Sequence, residues 1–420
     1  MSEHLIGLLL GTEEDWPRAF EALVGRLGPV RWRGEEHRLT TERIVNEPFD
    51  LRAKPRYSLV IDRLAWWYDL PREWLKKISL GNDVYLLNNP FTFQAMEKHS
   101  AYVAMMRLGL KVPETWMVPH KAPSPIPRFD YMRSKFADVA SKYNVPFDLA
   151  AIAERIGYPL YMKPFDGGQW VGVTRIASAD ELQARYDASG ERLMHLQAGV
   201  DDFEVFVRCL SIGAETMTMH FDPDAPMHLR YVVDHGFLTP EIGREVVTIS
   251  RLVNAFFLWE FNSCEMLVKD GEVFPIDYAN ASPDVALTSL HYYFPWAITT
   301  LVKWCAFCTV TGRPMRVSQD LGSYFAVGDR ELGYEEKLAV YRELSDGHFQ
   351  VQLYREFCAE ALPELEELAH EWFASDEFDE LLVRVVGATF PQYEHEEMVA
   401  RHRGLVGQWV RERAESTSPA

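Results

Sequence analysis

The chain has 420 residues, with 43 Lys and Arg against 62 Asp and Glu, a formal charge of −19. That acidic balance argues against a nucleic-acid backbone or an anionic membrane as the main partner, because either rewards a basic face. With 47% hydrophobic residues and 12 Trp, 18 Tyr and 24 Phe, disorder is excluded, and the length suggests about three domains around a large core.

The apolar run Leu5–Leu10 ends at Gly11, as a buried parallel strand would. It is too short for a signal peptide, and Glu3 flanks it. Pro17 suits a first helical turn, with Phe20, Leu23, Val24 and Leu27 at helical spacing behind it. Tyr57–Ile61 and Val84–Leu87 read as further buried strands, and Arg72–Leu80 as a helix stopped at Gly81. This alternation predicts a small parallel α/β unit. Asp62 and Arg63 end its second strand, where open α/β sheets place ligands, and either touch a substrate or pair internally.

Thr92 is placed to cap a helix running to Gly109, with Met96, His99, Val103, Met106 and Leu110 as its apolar face and Lys98 pointing away. On that face His99 is expected to be a hydrogen-bonded core residue rather than a ligand. Residues 120–146 are proline-rich and mixed in charge, a connector containing a helix. A β-rich unit follows: strands Leu160–Pro164 and Val171–Ile176 around a turn at Asp166–Gly168, a helix capped by Ser178 and Glu181, then strands Leu193–Ala198 and Phe203–Ile212. Thr239 and Pro240 start a helix through Leu258, and a hairpin closes on Asp270 and Gly271. Tyr292–Val310 approaches the length of a membrane span, but Pro295 and Lys303 interrupt it, so a core helix is expected. Beyond residue 311 the texture is helical. From Glu331 onward there are 20 acidic residues against 8 basic ones, solvated faces that need not repel an anionic ligand elsewhere.

Five cysteines (Cys209, Cys264, Cys305, Cys308, Cys358) make no disulfide framework, and Cys305 and Cys308 read as a buried helical pair. A cytoplasmic, reducing location is expected. The segment His220–His228 has ligand-type side chains, but its prolines suggest a loop rather than a metal site.

Two signals carry chemistry. In the first, Lys163 ends a strand and Asp166, Gly167, Gly168, Gln169 and Gly172 follow before the next strand. Glycines there let backbone N–H groups crowd around phosphate oxygens while the lysine adds a point charge; a plain hairpin turn is the alternative. No helix follows directly, so this is neither a P-loop nor a dinucleotide fingerprint. The second signal is Glu265 and Asp277 on the arms of the hairpin. A two-residue loop Asp270-Gly271 would turn the acids to opposite faces. A three-residue loop Lys269-Asp270-Gly271, with Gly271 in the left-handed position, sets them on one face. Two such carboxylates can hold Mg²⁺, with Asn280 as a third oxygen. The flanking stretches Phe261–Val268 and Val273–Tyr278 are too apolar for a solvated ribbon.

Taken in order, these features resemble the ATP-grasp superfamily. Lys98 lies in a helix before Gly109, Val112, Pro113 and Thr115; then come Lys163, the loop Asp166–Val173, a hinge at His195–Val200, and Glu265, Asp277 and Asn280 around a hairpin. Leu87-Asn88-Asn89-Pro90 after a strand matches the family's preceding domain. The resemblance covers roughly residues 1–310. It implies an α/β (α+β) ATP-grasp fold: a pre-ATP-grasp domain over 1–92, a nucleotide-binding region over 93–310 with a lid (146–202) and a central subdomain (203–310), and a helical extension over 311–420. It further implies that Lys98 and Lys163 contact ATP phosphates beneath the loop Asp166–Gly172. Gln197, Ala198 and Gly199 would hold adenine, and Glu204, with Asp201 and Asp202 as rivals, the ribose. Glu265, Asp277 and Asn280 would carry Mg²⁺, with Mn²⁺ as an alternative. The implied function is joining a carboxylate to an amine through an acyl phosphate, with a phosphotransferase or a non-catalytic ATP-binding regulator or scaffold as alternatives. The partners would be small-molecule acid and amine substrates, with no nucleic acid or membrane, and homo-oligomerisation is left open. Three features depart from the family pattern. Asn280 follows the last acid by three residues instead of two, Gln169 and Trp170 are bulky for the loop, and Ser263 stands where many members have a catalytic arginine. Arg230, on an expected strand Leu229–Val233, is the candidate for that missing charge.

Overall fold

In a computed structural model of the chain, the residues described are 1–121, 146–166, 168, 170–280 and 282–417. Most of the expected connector 120–146 lies outside them, as do Gly167 and Gln169. The first sheet contains β1 (Ser2–Leu9), β2 (Val30–Trp32), β3 (Glu35–Arg43), β4 (Leu59–Asp62) and β5 (Tyr85–Leu87), in the order β2-β3-β1-β4-β5. The strands β3, β1, β4 and β5 run parallel, and β2 is antiparallel at the edge. Ile6, Leu8, Leu9 and Leu59–Ile61 are fully buried, as continuous apolar runs in a covered parallel sheet should be. Helices α1 (Asp15–Arg26) and α2 (Asp69–Asn82) are the connections; α2 runs through Gly81 and ends on Asp83 in the left-handed region.

Helix α3 (Lys98–Arg107) is preceded by a 3-10 segment Pro90–Met96, so Glu97 rather than Thr92 is its N-cap residue. Its buried face is Lys98, Ala101, Tyr102 and Met105, while Val103 and Met106 are exposed. The expected apolar face is therefore corrected by about one residue, and Lys98 points inward.

The second sheet, with its own small apolar core, has the order β6-β9-β7-β8: β6 (Thr115–Val118), β7 (Leu160–Pro164), β8 (Thr174–Ile176) and β9 (Met194–Ala198). Helix α4 (Leu149–Ile156) is capped by Asp148 and α5 (Ala179–Ser189) by Ser178. The third sheet is antiparallel in the order β12-β11-β10-β13-β14: β10 (Val205–Ile212), β11 (Glu215–Phe221), β12 (Tyr231–Val232), β13 (Phe261–Lys269) and β14 (Glu272–Asp277). Helix α6 (Pro240–Phe257), capped by Thr239, and the buried α7 (Phe294–Val310) pack against this sheet. The β10–β11 turn is closed by Gly213 at φ 54°, where a Cβ would fall 1.9 Å from Trp304 Cδ2, so only glycine fits. Asn88 clips the first sheet to the third: its Oδ1 accepts from Glu260 N and Phe261 N, both at 2.8 Å.

The chain closes with α8 (Leu321–Gly328), α9 (Tyr334–Phe349), α10 (Val351–Ala361), α11 (Leu365–Phe373), α12 (Asp376–Thr389) and α13 (His395–Thr417). Their apolar faces join one core with the first and third sheets. All five cysteines are free, and among the described residues no helix is long and apolar enough to cross a membrane.

Candidate active site

The centre of the site is the β13–β14 hairpin. Its loop is the two-residue Asp270-Gly271, with φ of 51° and 72°, because Lys269 pairs with Glu272. Undisturbed, that register would oppose Glu265 with Ile276. Instead the ladder shifts between Glu265 and Met266, Ile276 is bulged out, and Glu265 pairs directly with Asp277. The three-residue loop is thus corrected, and the acids share a face through the bulge. The Ile276 carbonyl accepts from Tyr102 Oη at 2.8 Å and from Lys163 Nζ at 3.4 Å, so the bulge ties the hairpin to α3 and to the second sheet.

Both acids meet a cation. Lys98, from the first turn of α3, forms an ion pair with Asp277. Arg208 stands opposite Glu265 across β10 and β13, with Nη1 to Oε1 at 3.2 Å and its guanidinium over the rings of Phe221 and Tyr231. Burial pushes the Glu265 carboxyl up; Arg208 opposes this only in part, and Asp277 adds to it. Burial acts on Asp277 in the same sense, but Lys98 beside it outweighs that and holds it below the usual carboxylate range. Lys163, buried on β7, donates to Gln197 Oε1 at 2.7 Å, and Gln197 Nε2 donates to Thr115 Oγ1 at 2.8 Å. Burial lowers the Lys163 ammonium from 10.5 to about 8, against the pull of Asp277 and with the repulsion of Lys98. His195, opposite Lys163 on β9, is buried against His99 and Tyr102 and is lowered to about 4, first by burial and then by His99 and the lysines.

The remaining candidates are close by in differing degree. Asn280 Nδ2 donates to Ser263 Oγ at 3.2 Å, and Asn262 Oδ1 holds its backbone N–H at 2.8 Å. Ser263 lies two residues from Glu265 on the same strand. The loop after β7 is anchored where Lys98 N donates to Phe165 O at 3.2 Å; Asp166, Gly168 and Gly172 are exposed there, and Trp170 packs on Phe206 of β10. The N–H groups of Ala198 and Gly199 are spent on Glu114 O and Pro159 O. Gln197 enters the site through its side chain. Glu204 Oε1 accepts from Asp270 N at 2.9 Å, at the hairpin turn. Arg230 precedes the short strand β12, and its Nε donates to Ala225 O at 2.9 Å; the structure brings Arg208, not Arg230, onto Glu265. Arg63 pairs internally, with Glu13 at 2.9 Å, and donates to Pro283 O at 2.8 Å. His99 has a buried Nδ1 without a partner among the described residues, so the hydrogen-bonded core role is not what is found.

Sequence reasoning missed Arg208, Tyr102 and the Gln197 side chain. Arg208 could be found only from the β10–β13 pairing, a long-range relationship that no local pattern encodes.

Among the described residues no group of three or more His, Cys, Asp or Glu is arranged to enclose a metal. The donor set is two hard carboxylates on one face. It fits Mg²⁺, which takes one or two protein carboxylates and fills its shell with phosphate and water, better than a metal that needs a full protein cage.

No family model matches the sequence, and no curated protein matches it. Among solved structures, the chain is similar to a RimK-domain ATP-grasp protein of Sphaerobacter thermophilus, at 12% identity over 71% of this chain and 98% of that one, with a TM-score of 0.46. It is similar to the D-alanine–D-alanine ligase of Bacillus anthracis complexed with ATP, at 15% identity over 81% and 99%, TM-score 0.46. A D-Ala:D-Ser ligase of Enterococcus faecalis gives 12% identity over 78% and 100%, TM-score 0.45.

Proposed function

We propose that this chain is an ATP-grasp enzyme that uses ATP and Mg²⁺ (or Mn²⁺) to join a carboxylate to an amine through an acyl phosphate. One observation carries the reading. Lys98 from α3 pairs with Asp277 of the third sheet, Asp277 stands opposite Glu265, and Lys163 from the second sheet reaches the neighbouring Ile276 carbonyl at 3.4 Å, although up to 179 residues separate them in sequence. Two ammonium groups facing two carboxylates suit a triphosphate and its cation, and offer little to an uncharged ligand.

In this reading Lys98 and Lys163 bind phosphate oxygens, and Gln197 fixes the direction of Lys163. Glu265 and Asp277 hold the cation, with Asn280 beside them. The loop Asp166–Gly172 covers the phosphates and excludes water, protecting a reactive anhydride from hydrolysis. The 197–199 segment and Glu204 border the nucleoside end. Bound Mg²⁺ would spread the charge that develops on the transferring phosphoryl group. The acid substrate attacks the γ-phosphorus, ADP leaves, and the amine then displaces phosphate from the acyl group.

The test is a panel of carboxylic acids and amines with ATP, following ADP and phosphate release. Release that needs both an acid and an amine supports the ligase. A stable phosphorylated product points to a phosphotransferase, and tight ATP binding without turnover to a regulator.

A further inference from the structure

The two acids of the site are already neutralised from within. Lys98 sits on Asp277 and Arg208 on Glu265; the Lys98, Arg208 and Glu265 side chains are largely buried, while that of Asp277 is 32% exposed. Lys163, close enough to feel both lysine and acids, adds a third cation, so the cluster carries one net positive charge. A divalent ion entering this cluster alone would make a strongly positive buried site, which desolvation penalises. The four negative charges of ATP remove that obstacle and give the lysines and the guanidinium new partners. Arg208 is equipped for such an exchange. Its Nε is buried without a partner among the described residues, so Glu265 does not use its full donor capacity.

Resting on the reading of this site as an ATP and metal site, we propose that Arg208 and Lys98 are resident counter-cations of the metal acids. They block metal binding in the empty enzyme and make metal and nucleotide binding mutually dependent. The protein offers its carboxylates to a divalent cation only when phosphates have drawn these two cations away. Coupling of this kind is reciprocal: whatever the nucleotide does for metal affinity, the metal does for nucleotide affinity.

The test uses Mn²⁺ and the full chain without nucleotide, at neutral pH, read by electron paramagnetic resonance of the free ion. The wild-type chain should bind Mn²⁺ weakly, with Kd in the millimolar range or above. Arg208→Gln frees Glu265 and should tighten Mn²⁺ binding at least about tenfold, since a unit charge a few ångströms away is worth more than that factor at protein-like dielectric. Lys98→Gln should do the same through Asp277, whereas Arg208→Lys, which keeps the charge, should stay near wild type. Folding of each variant is checked by circular dichroism. Tight Mn²⁺ binding by the nucleotide-free wild type would overturn the proposal even if no variant folds, and so would a folded Arg208→Gln or Lys98→Gln with no gain in affinity. Nucleotide binding is measured separately; its absence would defeat the functional reading but leave the Mn²⁺ result interpretable.

Discussion

Glu265 and Asp277 face each other across β13 and β14 because Ile276 bulges out of the ladder. Four residues gather on this pairing: Lys98 on Asp277, Arg208 on Glu265, and Tyr102 and Lys163 on the Ile276 carbonyl. Asp277→Asn keeps the shape and removes the charge. It should cut Mg²⁺-dependent turnover by about 10³-fold, the usual scale for losing one preorganised electrostatic contact. The fold, followed by circular dichroism, should remain. Undiminished steady-state turnover would refute the metal role of the hairpin.

Gln197 is the next lever. Its Oε1 holds Lys163 Nζ and its Nε2 is held in turn by Thr115, so the lysine is aimed by a two-bond relay. Gln197→Met removes the acceptor while keeping the volume. Nucleotide affinity, measured by calorimetry with a non-hydrolysable ATP analogue, should fall about tenfold, the value of one charge-assisted hydrogen bond. Lys163→Ala should cost more, about 100-fold, because the charge itself is lost. An affinity unchanged in Lys163→Ala would refute its phosphate role.

Burial of Lys163 gives the site a pH signature. With its folded value lowered from 10.5 to about 8, the unfolded chain binds more protons than the folded one between these values. Stability should therefore rise with pH across that window, as the charged-lysine penalty is relieved. Nucleotide affinity should move the other way, falling above pH about 8 as the ammonium is lost. Binding at alkaline pH should then take up a proton, visible as a dependence of the calorimetric heat on the buffer's ionisation enthalpy. A wild-type affinity that stays level through this range, or a step that persists in Lys163→Met, would exclude Lys163 as the titrating group.

Much of this site was legible in the sequence, and the illegible parts share a cause. Apolar runs mark β1, β4 and β5, and the lysines, the glycine loop and the acids are legible as an ordered series of candidate residues. The strand β3 was invisible because Glu35–Arg43 is mostly polar, with only His37 and Leu39 buried; its pairing with β1, not its composition, makes it a strand. In helix α3 the apolar stripe is not the buried face, which is Lys98, Ala101, Tyr102 and Met105. Lys98 and Tyr102 are buried for polar reasons, by Asp277 and the Ile276 carbonyl, which come from far along the chain. The hairpin gave the right face through the wrong register, since a bulge leaves no local trace. Thr115, the last residue of the Gly109–Thr115 motif stretch, also opens β6, the edge strand of the second sheet.

Away from the site, Glu260 binds the first sheet, the third sheet and the helical region at one buried point. Its carboxylate accepts from Tyr85 Oη and, at 2.9 Å, from Trp304 Nε1, and it pairs with Arg313 at 3.3 Å; Arg313 reaches on to Gln350 Oε1 and the His348 carbonyl. Burial alone would push this carboxyl up, but Arg313 and His348 overcome that and bring it from 4.5 to about 2. A lowered folded value means the stabilisation is present above the unfolded value and is lost as pH falls from 4.5 to about 2. At roughly 1.4 kcal/mol per unit, that linkage is worth about 3 kcal/mol. Glu260→Gln should lower stability near neutral pH by about that amount, and leaving Arg313 buried without its partner adds to the loss. The variant's unfolding free energy should also depend less on pH over the acid limb, while nucleotide affinity at neutral pH stays near wild type. Denaturant unfolding of both proteins at a series of pH values decides it: parallel acid limbs would show that Glu260 is not the residue that links these regions to pH.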